Sequence, residues 1–161
     1  MPADVSGLES LVSRMSIAQS QLKPKLGEIL DKAGVKFLNA VQDEIMAAEN
    51  VDTRMLLSSF AKGASNNVYE LNIGSLTLKV GTNVEYAVYV NDGHSQQPGR
   101  FVPGVWSGDK FIYTPGAKTG MVLKADFVEG SHYFDNAIEA FEMMFPNILE
   151  NQVQGLLASL F

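Results

Sequence analysis

The chain has 161 residues, 46% hydrophobic and 19% charged, a length and balance that suit one folded domain with its own core and exclude a wholly disordered chain. The absence of cysteine removes disulfide frameworks, thiolate zinc sites and cysteine nucleophiles, and the formal net charge of −6 argues against a general nucleic-acid binder, whose affinity comes from clustered Lys and Arg. Apolar stretches such as 88–90 and 155–161 are far shorter than the roughly 20 residues of a membrane-crossing helix, and the N-terminus lacks the pattern of a secretory signal, so the chain is expected to stay in a cytoplasm.

Leu8, Leu11, Val12 and Met15, then Leu26, Ile29, Leu30, Ala33, Phe37, Val41, Ile45 and Ala48, recur at helical spacing. They predict two helical segments or one broken helix. Lys23-Pro24 lies between them, and because proline lacks an amide donor and disfavours helix at the preceding residue, Pro24 is expected to open the second segment. Residues 1–23 then form a helical arm that can be mobile. Asn50-Val51-Asp52-Thr53 ends the helix, and Asp52 or Thr53 is expected to cap a short turn through Leu56, Leu57 and Phe60.

After a loop at 63–67, Val68, Glu70, Leu71 and Ile73 alternate, as do Leu76, Leu78 and Val80, on either side of Gly74-Ser75, which predicts a β-hairpin. Asn83 is expected to cap a short amphipathic helix in which Tyr86, Ala87, Tyr89 and Val90 face the sheet, with Gly93 giving the backbone freedom for a sharp exit. Residues 95–120 are rich in Gly, Pro, Gln and Ser, broken by Phe101-Val102, Val105-Trp106 and Phe111-Ile112-Tyr113. This segment reads as an extended loop with an embedded strand or hairpin, and loops of such length commonly touch another molecule.

Residues 121–128 can supply a last strand. Ser131 is expected to cap a terminal helix carrying Phe134, Ala137, Ile138, Phe141 and Phe145, with Pro146 kinking or dividing it before Ile148, Leu149, Val153, Leu156, Leu157 and Leu160. The predicted class is α+β: a small antiparallel sheet packed against a long N-terminal helix and a C-terminal helix, with a long Gly/Pro-rich loop, residues 1–161 forming a single domain.

Candidate chemistry is sparse. Asp92-Gly93-His94 offers a histidine beside a carboxylate, with Ser95 as a conceivable nucleophile, but adjacency in sequence does not bring the side chains into hydrogen-bond reach. His132 has no second histidine at metal-ligand spacing, and the glycines of 99–120 are not followed by the Gly-Lys-Ser/Thr of a phosphate loop, so no metal, cofactor or catalytic residue is assigned. Arg100, Phe101 and Trp106, with Phe111 and Tyr113, are either an interface anchor or aromatics tucked under their own loop. The C-terminal helix holds more apolar residues than one face needs, which makes Phe145, Leu157 and Phe161 further interface candidates.

Two runs, Asp52-Thr53-Arg54-Met55-Leu56-Leu57-Ser58-Ser59-Phe60 and Val80-Gly81-Thr82-Asn83-Val84-Glu85-Tyr86-Ala87-Val88-Tyr89-Val90-Asn91-Asp92-Gly93-His94, are followed by Gly130-Ser131-His132-Tyr133-Phe134-Asp135-Asn136-Ala137. In order and spacing they resemble the phage tail-completion, or head-tail joining, family, whose central motif is similar to Asn83, Tyr86, Tyr89, Gly93 and His94 here; Arg54 stands where that family usually has Gly. The resemblance implies a tail-terminator-like virion protein that forms a hexameric ring, caps the tail tube and docks on the head connector or stopper. It implies no catalytic residues, no cofactor, DNA passing through the lumen without specific binding, and assembly in the host cytoplasm. A different phage neck or tail-tube subunit of related fold, and a small hydrolase using His94 and His132, are the alternatives.

Overall fold

The computed structural model describes residues 6–48 and 54–160 and begins with one 42-residue helix, α1 (Ser6–Ala47). Pro24 lies inside this helix and does not start a second one, which corrects the expectation of a break there. An interior proline forfeits one hydrogen bond and costs about 3 kcal/mol, but helices in proteins are held mainly by tertiary packing. Ala18 on one side of Pro24 and Ile29 and Ala33 on the other are all buried, so packing carries the helix across the proline.

α2 (Met55–Ser59) follows, its expected capping residues Asp52 and Thr53 lying outside the described residues. Arg54, immediately before it, has φ 57 and ψ −4 and makes no side-chain cap hydrogen bond. A side chain in this left-handed region costs roughly 1–2 kcal/mol, which glycine avoids. Arg54→Gly is therefore expected to raise the unfolding free energy by about 0.5–1 kcal/mol, the relief of strain less the extra freedom of glycine in the unfolded chain. A urea midpoint that falls would contradict this.

β1 (Asn67–Asn72) and β2 (Thr77–Thr82) form the predicted hairpin, with Asn67 opposite Thr82 and Asn72 opposite Thr77. The left-handed position of its turn is Leu76, φ 53, and the Asn72 side chain accepts from the Ser75 amide at 3.1 Å. At the other end of the hairpin, Thr82 Oγ1 donates to the buried Ser59 hydroxyl at 2.8 Å and accepts from the Val84 amide at 3.1 Å. This threonine, and not Asn83, orders the turn into α3 (Ala87–Asp92), because that helix starts four residues beyond Asn83, too late for an Asn83 cap. Ala87 is buried, whereas Val88 and Tyr89 are 61% and 58% exposed, so the expectation that Tyr89 packs inward is also corrected.

The chain divides into two compact units, one taking the described residues up to Ala87 and from Tyr133 onward, the other Val88–His132. In the second unit, β3 (Gly93–Ser95), β4 (Phe101–Ser107), β5 (Lys110–Tyr113), β6 (Gly120–Val122) and β7 (Phe127–Glu129) pair antiparallel as β3 with β7 and as the three-stranded order β5, β4, β6. Backbone bonds from Gln96 to Asp126 and between 99–100 and Leu123 link the two pairings. Residues 93–104 and 119–129 thus run as one ribbon, tipped by the β4–β5 hairpin. The expected final strand at 121–128 is split between β6 and β7. Ser131 does not cap the next helix: its hydroxyl donates to the Val90 carbonyl at 3.1 Å.

α4 (Tyr133–Leu160) closes the chain as one 28-residue helix that continues through Pro146, so that proline does not divide it. It runs antiparallel to α1. Asn136 Nδ2 donates to Glu44 at 3.4 Å, the Phe141 ring meets Phe37 edge-on at 5.3 Å, and Leu156 shares a cleft wall with Ile29. The first unit's core lies along this pair and under α2, where Leu38, Val41, Ile45, Phe60 and Ala137 are almost wholly removed from water.

The hairpin is pinned to α1 by a polar cluster. Lys62 Nζ lies 2.6 and 2.8 Å from the two Asp31 carboxylate oxygens, and the Tyr69 hydroxyl donates to Asp31 Oδ1 at 2.9 Å with the Lys62 ammonium 4.7 Å over its ring. The Lys62 hydrogen bond, aided by that of Tyr69, holds the Asp31 carboxyl below its ordinary value. Burial, followed by the Asp31 hydrogen bond and charge, pushes the Tyr69 hydroxyl up. A carboxylate whose folded pKa is depressed contributes stability above its unfolded pKa and loses it as pH falls through the folded one. For this partly exposed pair the contribution is at most about 1 kcal/mol. Asp31→Asn is expected to lower the urea midpoint near neutral pH and to converge with the parent chain as the pH drops below about 4, the unfolded carboxylate value. A gap that widens in acid would contradict the assignment.

Candidate interaction surfaces

Antiparallel pairing puts directly opposed side chains on one face. Phe101 faces Val122 and Val105 faces Ile112, so all four share one side of the second unit's three-stranded sheet, at 51%, 53%, 44% and 45% exposure. On the other side, Trp106 lies opposite Phe111 with ring centroids 5.3 Å apart, and Tyr113 stands opposite Gly104. Trp106 and Tyr113 are 59% and 62% exposed, so these aromatics do not tuck under their own segment. Arg100 is exposed at the entrance to β4. A three-stranded sheet with large apolar side chains open to water on both faces has the composition of a contact surface.

The close spacing of the sheet depends on glycine at two positions. A Cβ on Gly104 would come 2.4 Å from the Ile112 carbonyl, and one on Gly120 would come within 2.2 Å of the Val102 carbonyl. Glycine inside a strand commonly marks such an approach of backbone to backbone.

On α4, Phe145 is half-buried against Phe141 with centroids 5.3 Å apart, Leu157 is 46% exposed, and Phe161 lies outside the described residues. Of the motif residues, Asn83 is exposed and Tyr86 half-buried. Tyr89 meets the His94 ring edge-on at 6.0 Å, and Gly93, with φ 84, opens β3. The structure does not assemble Asp92 and His94 as orienter and base: Asp92 Oδ1 accepts from the Asn91 side-chain amide at 2.6 Å, while His94 sits in β3 opposite Val128. His132 has φ 53, and its backbone amide donates to the Asn91 carbonyl at 2.9 Å. Among the described residues, no three His, Asp or Glu side chains are grouped to hold a metal ion.

Two further apolar surfaces belong to the first unit. One is the exposed start of α1, with Leu11, Val12, Met15 and Ile17 between 48% and 59% exposed. The other is an open cleft of about 400 Å³ between α1, β2 and α4, walled by side chains such as Phe37, Leu78, Phe134 and Ile138. The sequence signal for the first was present in the helical stripe running back from Ile29, but a stripe alone does not tell a covered face from an open one.

Residues 15–93 match the family model described as "Bacteriophage HK97-gp10, putative tail-component". That span runs from the exposed part of α1 to Gly93 and ends where the β-ribbon begins. Two proteins of Bacillus subtilis (strain 168) are similar over nearly the whole chain. "Uncharacterized protein YqbI" is 44% identical over 158 residues, covering 93% of this chain and 95% of the relative. "Phage-like element PBSX protein XkdI" is 39% identical over 159 residues, covering 97% and 99%. No solved structure matches the chain significantly.

Proposed function

We propose that this chain, which belongs to the HK97-gp10-like family of bacteriophage tail components, is the tail-completion subunit that caps the tail tube and joins it to the head connector as a closed oligomeric ring. The observation that carries the reading is the coincidence of the family match at 15–93 with the motif of Asn83, Tyr86, Tyr89 and Gly93. A ring of roughly six copies has two rims and needs two kinds of outward contact, one to the tube and one to the connector. The two open faces of the β4–β5–β6 sheet, with Phe101 and Val105 on one and Trp106 and Tyr113 on the other, suit such contacts, as does the exposed Leu157 of α4. An overall charge of −6 suits a lumen through which DNA slides without being held. The role is structural, in the virion neck, with no turnover.

Electron micrographs of lysates from a phage or induced element lacking this chain test the reading. Filled heads and separate tails are expected, with joining restored when the chain is supplied in trans. Intact joined particles made without it would overturn the proposal.

A further inference from the structure

Every side chain of α1 from 10 to 17 is exposed, yet this stretch is not polar on all sides. At about 100° per residue, Leu11, Met15, Ala18 and Leu22 lie on the same stripe of the helix as the buried Ile29 and Ala33. The seam that α1 buries as far as Ala18 therefore continues uncovered at Met15 and Leu11. In the same unit, the cleft of about 400 Å³ between α1, β2 and α4 is open and walled almost wholly by apolar side chains, with Glu142 among them. Helix-in-groove recognition joins these two kinds of surface, an amphipathic helix offering apolar anchors at helical spacing to an apolar channel.

We propose that the N-terminal segment of α1, anchored by Leu11 and Met15, docks in this cleft of a second copy of the chain. The segment cannot reach its own cleft. Met15 and the cleft residue Leu30 belong to one continuous helix and are separated by about 22 Å along its axis at 1.5 Å per residue. The charges match the pairing: Arg14 stands beside the Met15 anchor, and Glu142 is the one acidic side chain among the described residues that wall the cleft. A contact that uses different surfaces on its two partners gives a ring where its rotation closes and an open filament where it does not, so it is the type of contact that a ring of identical subunits requires. This inference rests on the ring reading above and assigns the contact between neighbouring subunits within it.

The absence of native cysteine allows a direct test. Met15 and Ile138 are both exposed, at 56% and 36%, so a Met15→Cys/Ile138→Cys chain should fold as the parent does. Particles carrying it are treated with a flexible bis-maleimide, and the links are mapped by peptide mass spectrometry. Links between residues 15 and 138 of different copies, giving a ladder of multimers, are expected. Links of 15 to 15, links from 15 to another particle protein, or no links in particles that contain the chain would overturn the arm-in-cleft contact while leaving the ring reading intact. Absence of the chain from particles would overturn the ring reading itself, and this inference with it. As a second variant, Met15→Glu is expected to reduce incorporation at least about tenfold without changing the urea unfolding of the purified chain; unchanged incorporation would overturn the contact.

Discussion

Phe60→Ala is expected to lower the unfolding free energy by about 3–5 kcal/mol, the usual cost of emptying a large aromatic site in a close-packed core. Phe60 is 1% exposed, and its ring lies 6.0 Å from both Tyr133, edge-on, and Phe134. It thereby joins the residue after α2 to the first turn of α4, elements more than seventy positions apart in the chain. Neither Tyr133 nor Phe134 can move into the space without leaving its own helix position, so most of the cavity should persist. With a typical domain holding only about 5–15 kcal/mol in reserve, the variant should be marginal at ordinary temperature. Tyr113→Ala, at a site 62% exposed, is the matched control and is expected to change stability by no more than about 0.5 kcal/mol. Urea unfolding of the two variants beside the parent makes the comparison, and a Phe60→Ala loss below about 1 kcal/mol would mean that the α2–α4 junction is not core.

Gly93→Ala is the corresponding prediction for the second unit. Gly93 has φ 84, and a Cβ there would lie 2.4 Å from the Val128 carbonyl and 2.8 Å from the Gly130 amide, both backbone atoms of the facing strand segment. Gly99 has the same φ of 84 with nothing near its Cβ direction. Gly99→Ala should therefore cost only the left-handed penalty of about 1–2 kcal/mol. Gly93→Ala should cost that and also force β3 away from β7, a further loss of about 2 kcal/mol or more. Amide exchange at His94 and Ser95 should accelerate in the first variant and not in the second. Equal losses in the two variants would contradict the close approach at Gly93.

Much of this fold is legible from spacing. Ile29, Ala33, Val41 and Ile45 follow helical periodicity and are buried, and the alternation around Gly74-Ser75 is a hairpin in the expected place. The errors fall where a local rule met a tertiary force. Pro24 reads as a break and Pro146 as a kink or a break, yet each lies inside one continuous helix with buried residues on both sides of it. Asn83 and Ser131 read as caps from residue type alone, but Thr82 holds the turn after β2, and the Ser131 hydroxyl is taken up by Val90. A cap is defined by where the helix begins, and its residue type does not reveal that.

Residues 95–120 hide their strands because Pro103 and Gly104 interrupt β4 at its centre and erase its period of two. Pairing with 119–122, nearly twenty residues further along, makes the first half of this segment a strand, and the local hairpin with β5 makes the second. Trp106, Tyr113 and Leu157 stand out by residue type and are all exposed. What spacing could not supply was the grouping of Phe101 with Val122 and of Val105 with Ile112, which needs the strand register, or the open state of the α1 stripe at Leu11 and Met15, which needs the length of α4.

The central claim, a ring at one end of the tail, is tested most directly by counting. Purified particles are digested, and peptides of this chain are quantified against those of the major tail-tube subunit with labelled standards. The ring account predicts a fixed count of about six copies per particle, one ring's worth, whatever the number of tube subunits. A count that rivals the tube subunit, or the absence of the chain from intact particles, would contradict it.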